Sequence, residues 1–105
     1  MNSTVNNPEL QKVVDFLKEQ KIPFELRSLY SGYLLAVPSD AHREFDLVSH
    51  PYSYGGDRGL LESMGCICEN SSGDGVEGWL TGETAIERIK EHYLDSVYRL
   101  TEAEV

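Results

Sequence analysis

The first apolar pattern in the chain predicts an amphipathic helix. Asn7 is a favourable N-cap and Pro8 suits the first helical position. Pro23 predicts that this helix ends by about residue 21, and residues 1–6 are expected to form a flexible tail. The apolar residues of the helix recur at intervals of three and four and share one face: Leu10, Val13, Val14 and Leu17.

Three runs with strand-like patterns follow the helix. Residues 24–29 and 45–50 alternate between apolar and polar positions, and residues 33–37 are almost continuously apolar. Ser31 and Gly32 are predicted to form a two-residue turn between the first two runs, with Gly32 taking a positive φ. Together these runs predict an antiparallel meander.

The second half of the chain predicts a short helix, another strand and a last helix. Residues 60–64 are interpreted as the short helix, ended by Gly65, and residues 76–80 as the strand. Thr81 is predicted to cap the last helix, in which apolar residues keep a helical period from residue 85 to residue 100.

These elements predict one α+β domain over residues 1–105. It has a small antiparallel sheet of three to four strands, with the N-terminal helix and a long C-terminal helix packed on one face. The predicted core has eight members: Leu10, Val13, Leu17, Leu35, Val37, Leu47, Ile86 and Ile89.

Composition predicts the compartment. No run approaches the roughly 20 apolar residues of a membrane span. The first eight residues lack the basic start and apolar run of a signal peptide. Cys66 and Cys68 are separated by a single residue, a spacing that is poor for a disulfide between them. We therefore expect reduced thiols and a cytoplasmic protein.

Charge argues against one class of partner and favours another. Eighteen acids against nine bases give a net charge of −9, which opposes binding to nucleic acid or anionic membranes. Between Arg58 and Arg88 there is no Lys or Arg, and this interval holds six carboxylates. Two interpretations remain open: a negative surface that meets a basic protein, as a nucleic-acid backbone would, and a surface that only maintains solubility.

The loop at residues 50–59 is rich in glycine and contains two tyrosines. Their rings are either rigid anchors for a protein partner or side chains folded over the sheet edge. Combined with the acids that follow, the loop defines a predicted partner-binding set: Tyr52, Tyr54, Asp57, Glu62, Glu69, Asp74 and Glu77.

The sequence contains no motif for phosphate binding, calcium binding or nucleophilic catalysis. The glycines of the loop lack the spacing of a phosphate-binding motif, and Asn70–Glu77 lacks a calcium-loop pattern. Cys66 has no flanking signature of a nucleophilic enzyme. We therefore expect no catalytic residue, no cofactor and no metal. A small zinc or thiol protein using Cys66 and Cys68 stays a further alternative.

Several segments resemble small proteins of phages and mobile elements from Gram-positive bacteria. They are residues 33–40, 50–65 and 76–81 with the helix that follows, about two thirds of the chain. Some small acidic proteins of such elements are anti-CRISPR inhibitors that occupy the nucleic-acid groove of a nuclease. This chain is similar to them in size and charge, and the likeness carries over no inhibitor residue.

The resulting functional hypothesis is an acidic, non-enzymatic inhibitor. It would bind a basic nucleic-acid-handling protein, with a CRISPR-associated nuclease as the leading candidate, and block the surface that holds nucleic acid or guide. The alternative is an accessory or assembly domain of a mobile element. We expect a monomer or weak dimer that contacts neither nucleic acid nor membrane directly.

Overall fold

A computed structural model describes residues 5–68 and 75–94 of the chain. The helices and strands are α1 (Pro8–Glu19), β1 (Glu25–Leu29), β2 (Gly32–Pro38), β3 (Arg43–Ser49), β4 (Leu61–Gly65), β5 (Val76–Leu80) and α2 (Gly82–Ile89). A 3₁₀ turn at Gly56–Arg58 lies between β3 and β4, and a π-helical turn at Lys90–Leu94 follows α2.

The strands form one antiparallel sheet in the order β1-β2-β3-β4-β5. Each strand therefore pairs with its neighbour in sequence, and the predicted meander continues through the whole sheet. The α+β class is confirmed, whereas the predicted three to four strands are too few.

The missing strand is β4, in the segment that was predicted to be a short helix. Leu61 and Ser63 are fully buried, whereas Glu62 and Met64 lie on the other face, so this segment follows a period of two. Hydrogen bonding to β3 on one side and β5 on the other holds it extended. A run of five residues is compatible with either period, and here the pairing between strands decides the structure.

The two long helices begin as predicted. The Asn7 side chain accepts a hydrogen bond from the backbone N–H of Leu10, and that of Thr81 accepts one from Thr84. α2 has only eight residues before the π-helical turn. The predicted long C-terminal helix is not confirmed, because its distal part lies outside the described residues. No helix within residues 5–68 and 75–94 combines the length and apolar character needed to cross a bilayer.

The last residues of the predicted tail are held against the domain. Val5 is buried in the main core, and its N–H donates to the side-chain oxygen of Gln11. The N–H of Asn6 donates to the Tyr33 hydroxyl. These contacts connect the start of α1 to β2 and to the core. Residues 1–4 lie outside the described part of the chain.

The main core lies between one face of the sheet and both helices. All eight predicted core residues belong to it, with Ile86 partly buried at its margin. Leu35, Leu47 and Leu61 are fully buried on the helix-covered face of successive strands. We call the side of the sheet that faces away from this core the open face. Leu34, Ala36 and Val48 form a small second cluster there.

The β1–β2 turn differs from the prediction by one position. Its central residues are Tyr30 and Ser31, both with positive φ (48° and 64°), while Gly32 already pairs with Leu29 in the sheet. Two left-handed central residues are the signature of a type I′ hairpin turn. Gly32 is needed for a different reason: a Cβ there would lie 2.0 Å from the carbonyl oxygen of Ser49.

The strand assignment of β4 gives a direct test with two truncations. Positions 61 and 64 would share a face in a helix, but they lie on opposite faces in a strand. We expect Leu61→Ala to lower the free energy of unfolding by about 2–5 kcal/mol, because it opens a cavity in the core. Met64→Ala should lower it by less than about 1 kcal/mol, since that side chain is half exposed. Similar losses for both variants in urea denaturation would contradict the strand.

Candidate functional site

The meander brings three distant segments to the same end of the sheet. In an antiparallel meander, alternate connections lie at the same end, so the β1–β2 turn and the β3–β4 loop are neighbours. β5 also finishes at this end, where Leu80 pairs with Leu61. α1 begins here too, because the Asn7 side chain donates to the Ser49 hydroxyl across 2.9 Å.

Exposed aromatic side chains gather at this end. Tyr30 is 65% exposed, Tyr52 80%, Tyr54 53% and Trp79 60%. Among the described residues, these are four of the five large apolar side chains that are exposed. The fifth, Met64, lies toward the opposite end of β4. We call the four rings together with the His50 imidazole the aromatic end: Tyr30, His50, Tyr52, Tyr54 and Trp79.

The rings contact one another in two groups. Tyr30 meets His50 and Tyr52 edge to face, with ring centroids 5.3 Å and 5.8 Å apart. Tyr54 stacks on Trp79 with centroids 5.5 Å apart and an angle of 23° between the planes. Both are favourable arrangements for aromatic pairs, so the rings hold each other in place while their outer faces remain in solvent.

Backbone hydrogen bonds fix the loop that carries two of these tyrosines. The N–H of Ser53 donates to the carbonyl of His50, and the N–H of Gly56 donates to that of Ser53. The Ser53 hydroxyl donates to the same His50 carbonyl. The N–H of Tyr52 donates to Nδ1 of His50. Consecutive turns of this kind make the glycine-rich loop an ordered support for Tyr52 and Tyr54.

The Tyr54–Trp79 pair depends on a close approach of the loop to β5. The N–H of Trp79 donates to the carbonyl of Tyr54, and the N–H of Tyr54 donates to a carboxylate oxygen of Glu62. A Cβ at Gly78 would lie 2.2 Å from the Tyr54 Cβ, so only glycine permits this approach. The backbone of the loop therefore packs closely against β5 at Gly78 and Trp79.

Two of the exposed rings occupy unfavourable backbone conformations. Tyr30 and Trp79 have φ values of 48° and 56°, in the left-handed region. That conformation costs an L-residue about 1–2 kcal/mol, and it is rare for bulky side chains. Strain retained at exposed aromatic positions is typical of functional surfaces, since packing alone does not require a large ring there.

The predicted binding residues are divided by the fold. Tyr52, Tyr54, Asp57 and Glu62 all lie at the aromatic end. Glu77 pairs with Ser63, so it faces the helices, where its carboxylate forms an ion pair with Arg88. Glu62 and Glu77 therefore lie on opposite faces of the sheet. Glu69 and Asp74 lie outside the described residues.

Three members of the aromatic end were not in the predicted set. These are Tyr30, His50 and Trp79, which lie in the β1–β2 turn, in the β3–β4 loop and on β5. Their common property is position at the same end of a meander. A complete strand assignment would have revealed it, because alternate connections then fall together.

The far end of the sheet carries a network of ion pairs. Asp40 contacts both Arg27 and Arg43, and Arg43 also bonds Asp46. The Arg43 guanidinium lowers the pKa of Asp40. Burial raises the pKa of Asp46, and its bond to Arg43 opposes that effect. This network compensates its own charges, which makes it a structural feature rather than a docking surface.

The surroundings of Cys66 disfavour nucleophilic reactivity. Cys66 and Cys68 are free, at the turn that follows β4. Partial burial and the Glu44 carboxylate raise the pKa of the Cys66 thiol, which reduces the thiolate needed for nucleophilic attack. In the described part of the chain, no group of three or more His, Cys, Asp or Glu side chains is placed to hold a metal ion.

Comparison with known proteins gave no relative. We found no matching family model, no matching curated protein and no matching solved structure for this chain.

The positive φ values in the β1–β2 turn predict that residues better suited to this backbone would raise the free energy of unfolding. Ser31→Gly should raise the free energy of unfolding by about 0.4–1 kcal/mol, because glycine adopts a positive φ without strain. Tyr30→Asn should leave it within about 1 kcal/mol of the parent, since relief of strain offsets the lost ring contacts. Chemical denaturation measures both variants. A loss above about 2 kcal/mol for Tyr30→Asn would show that the ring is structural.

Proposed function

We propose that this chain is a non-enzymatic binding protein that docks its aromatic end onto a basic protein. The observation that carries the proposal is the convergence of four exposed rings, from three separate segments, on one end of the sheet. Exposed tyrosine and tryptophan are the residues most often found as energetic anchors in protein interfaces. The net charge of −9 favours a partner with a positive surface.

The partner class follows from charge and from the resemblance described above. A protein that handles nucleic acid carries a basic groove, and an acidic protein with aromatic anchors competes for such a groove. We propose a CRISPR-associated nuclease of the bacterial cytoplasm as the partner. By this mechanism the chain excludes nucleic acid or guide by occupying its site.

The rings and the carboxylates have different parts in this mechanism. The exposed Asp57 carboxylate and the half-buried Glu62 carboxylate act over distance, so they accelerate association and make it sensitive to salt. The rings act only after contact, when they leave water, and they slow dissociation. Glu77 contributes less to a partner than its sequence suggests, because Arg88 compensates its charge.

Tyr52→Ala is the sharpest test, because this ring is the most exposed of the four and its removal should not disturb the fold. We expect dissociation from the nuclease to become about 30-fold faster, which corresponds to about 2 kcal/mol for an anchor residue. Met64→Ala is the matched control, an exposed apolar side chain away from the aromatic end, and should change the rate less than twofold. Surface plasmon resonance would measure guide-loaded and empty nuclease at two salt concentrations.

Each contrary result has a specific meaning. If neither form of the nuclease binds, the proposed partner is wrong. If binding occurs but Tyr52→Ala behaves like Met64→Ala, the aromatic end is not the docking surface. If the association rate does not fall as salt rises, steering by charge is excluded, and an assembly role in a mobile element becomes the better explanation.

A further inference from the structure

A cleft opens beside the exposed rings at the aromatic end. Its volume is about 340 Å³, at the small end of the range of roughly 300–1,000 Å³ found for ligand sites. The start of α1, the β1–β2 turn and the β3–β4 loop form its walls. It is large enough for one long side chain but small for an extended segment of a partner.

The polar groups of the cleft differ in whether they are free to form hydrogen bonds with a ligand. Asn7 and Ser49 are bonded to each other, and the Ser49 hydroxyl also donates to the carbonyl of Leu60. The Tyr33 hydroxyl already accepts a hydrogen bond from Asn6. Asp57 is different: in the part of the chain that the structure describes, its carboxylate has no ion pair and no side-chain hydrogen bond. It is also the one residue of the cleft wall with a formal charge.

The unpaired Asp57 carboxylate determines which charge is favoured in a ligand bound in the cleft. Arg58 follows Asp57 in the 3₁₀ turn and is exposed, but neither it nor any other Lys or Arg is among the residues that line this cleft. The whole chain carries a net charge of −9. A cation is therefore favoured over an anion, because it gains a charge-assisted hydrogen bond to Asp57 in a negative field. A neutral guest such as a sugar would gain only ordinary hydrogen bonds.

The His50 ring in the cleft wall favours a planar ligand. His50 lines the cleft, and its ring belongs to the cluster with Tyr30 and Tyr52. A guanidinium is planar, stacks on aromatic faces and bonds a carboxylate through two N–H groups at once. An ammonium group makes a point contact and is more strongly hydrated, so it benefits less from the rings.

We propose that this cleft receives an arginine side chain of the partner, with its guanidinium between the Asp57 carboxylate and the His50 ring. The source of the arginine rests on the proposed function, since a basic groove supplies such side chains. The exposed rings would then surround the contact and exclude water from it.

The cleft can be tested without the partner. The probe is N-acetyl-arginine amide, titrated into the ¹⁵N-labelled protein while backbone amide shifts are recorded. The neutral control is the citrulline analogue, which has the same shape without the charge, and the second control is N-acetyl-lysine amide. We expect arginine to shift the amides of Ser31, His50 and residues 56–59, and to bind about fivefold more tightly than citrulline.

Two variants separate local chemistry from overall charge. Asp57→Asn should remove the preference for arginine over citrulline, and it leaves the exposed 3₁₀ turn intact. Asp15→Asn removes the same charge from the exposed face of α1, away from the cleft, and should keep that preference. Chemical shifts outside the cleft report whether each variant is folded.

Several results would overturn the inference. Equal binding of citrulline, or stronger binding of methyl glucoside, would define a neutral polar site. Equal binding of lysine would show that the carboxylate acts alone, and shifts confined to other surfaces would exclude the cleft.

The nuclease assay distinguishes this inference from the proposed function. There, Asp57→Asn should weaken affinity about fivefold relative to Asp15→Asn. If the nuclease binds both variants with equal affinity, the proposed arginine site is wrong and the proposed docking surface is unaffected. If arginine amide binds the cleft while the nuclease does not bind, the partner class is wrong and the site stands.

Discussion

The register of the sheet is the constraint on which the rest of the molecule depends. Alternate side chains of every strand must enter the core beneath α1 and α2, and a shift of one residue would turn them to the open face. Leu35, Leu47 and Leu61 meet this requirement on three successive strands and are fully buried. Once the register is set, the positions of the turns and loops follow from it, and so does the aromatic end.

The aromatic end shows features that stability alone would not produce. Asparagine and glycine would fit the β1–β2 turn better than Tyr30 and Ser31, both of which have a left-handed backbone. Trp79 accepts the same strain at the end of β5, and Gly78 leaves room for Tyr54 to reach it. The fold thus retains locally unfavourable conformations where large rings are presented to solvent, a compromise typical of binding surfaces.

The net charge does not show which charged side chains are paired and which are not. At the far end of the sheet, Arg27 and Arg43 compensate Asp40 and Asp46, and on the helix side Arg88 compensates Glu77. At the aromatic end, Asp57 keeps an unpaired carboxylate within the described part of the chain. A small number of uncompensated charges beside exposed rings is a more specific signal for recognition than the total of −9.

The sequence alone determined the features that depend on near neighbours. The caps of α1 and α2, the apolar stripe of α1 and the strand patterns of β1–β3 follow from residues a few positions apart. Tertiary structure decided what depends on distant partners. Leu61–Gly65 became a strand because β3 and β5 flank it. The Glu77 carboxylate is less available to a partner because it forms an ion pair with Arg88. Tyr30 and Tyr52 came into contact, and Trp79 was brought to the same end of the sheet, because alternate connections of a meander lie at one end.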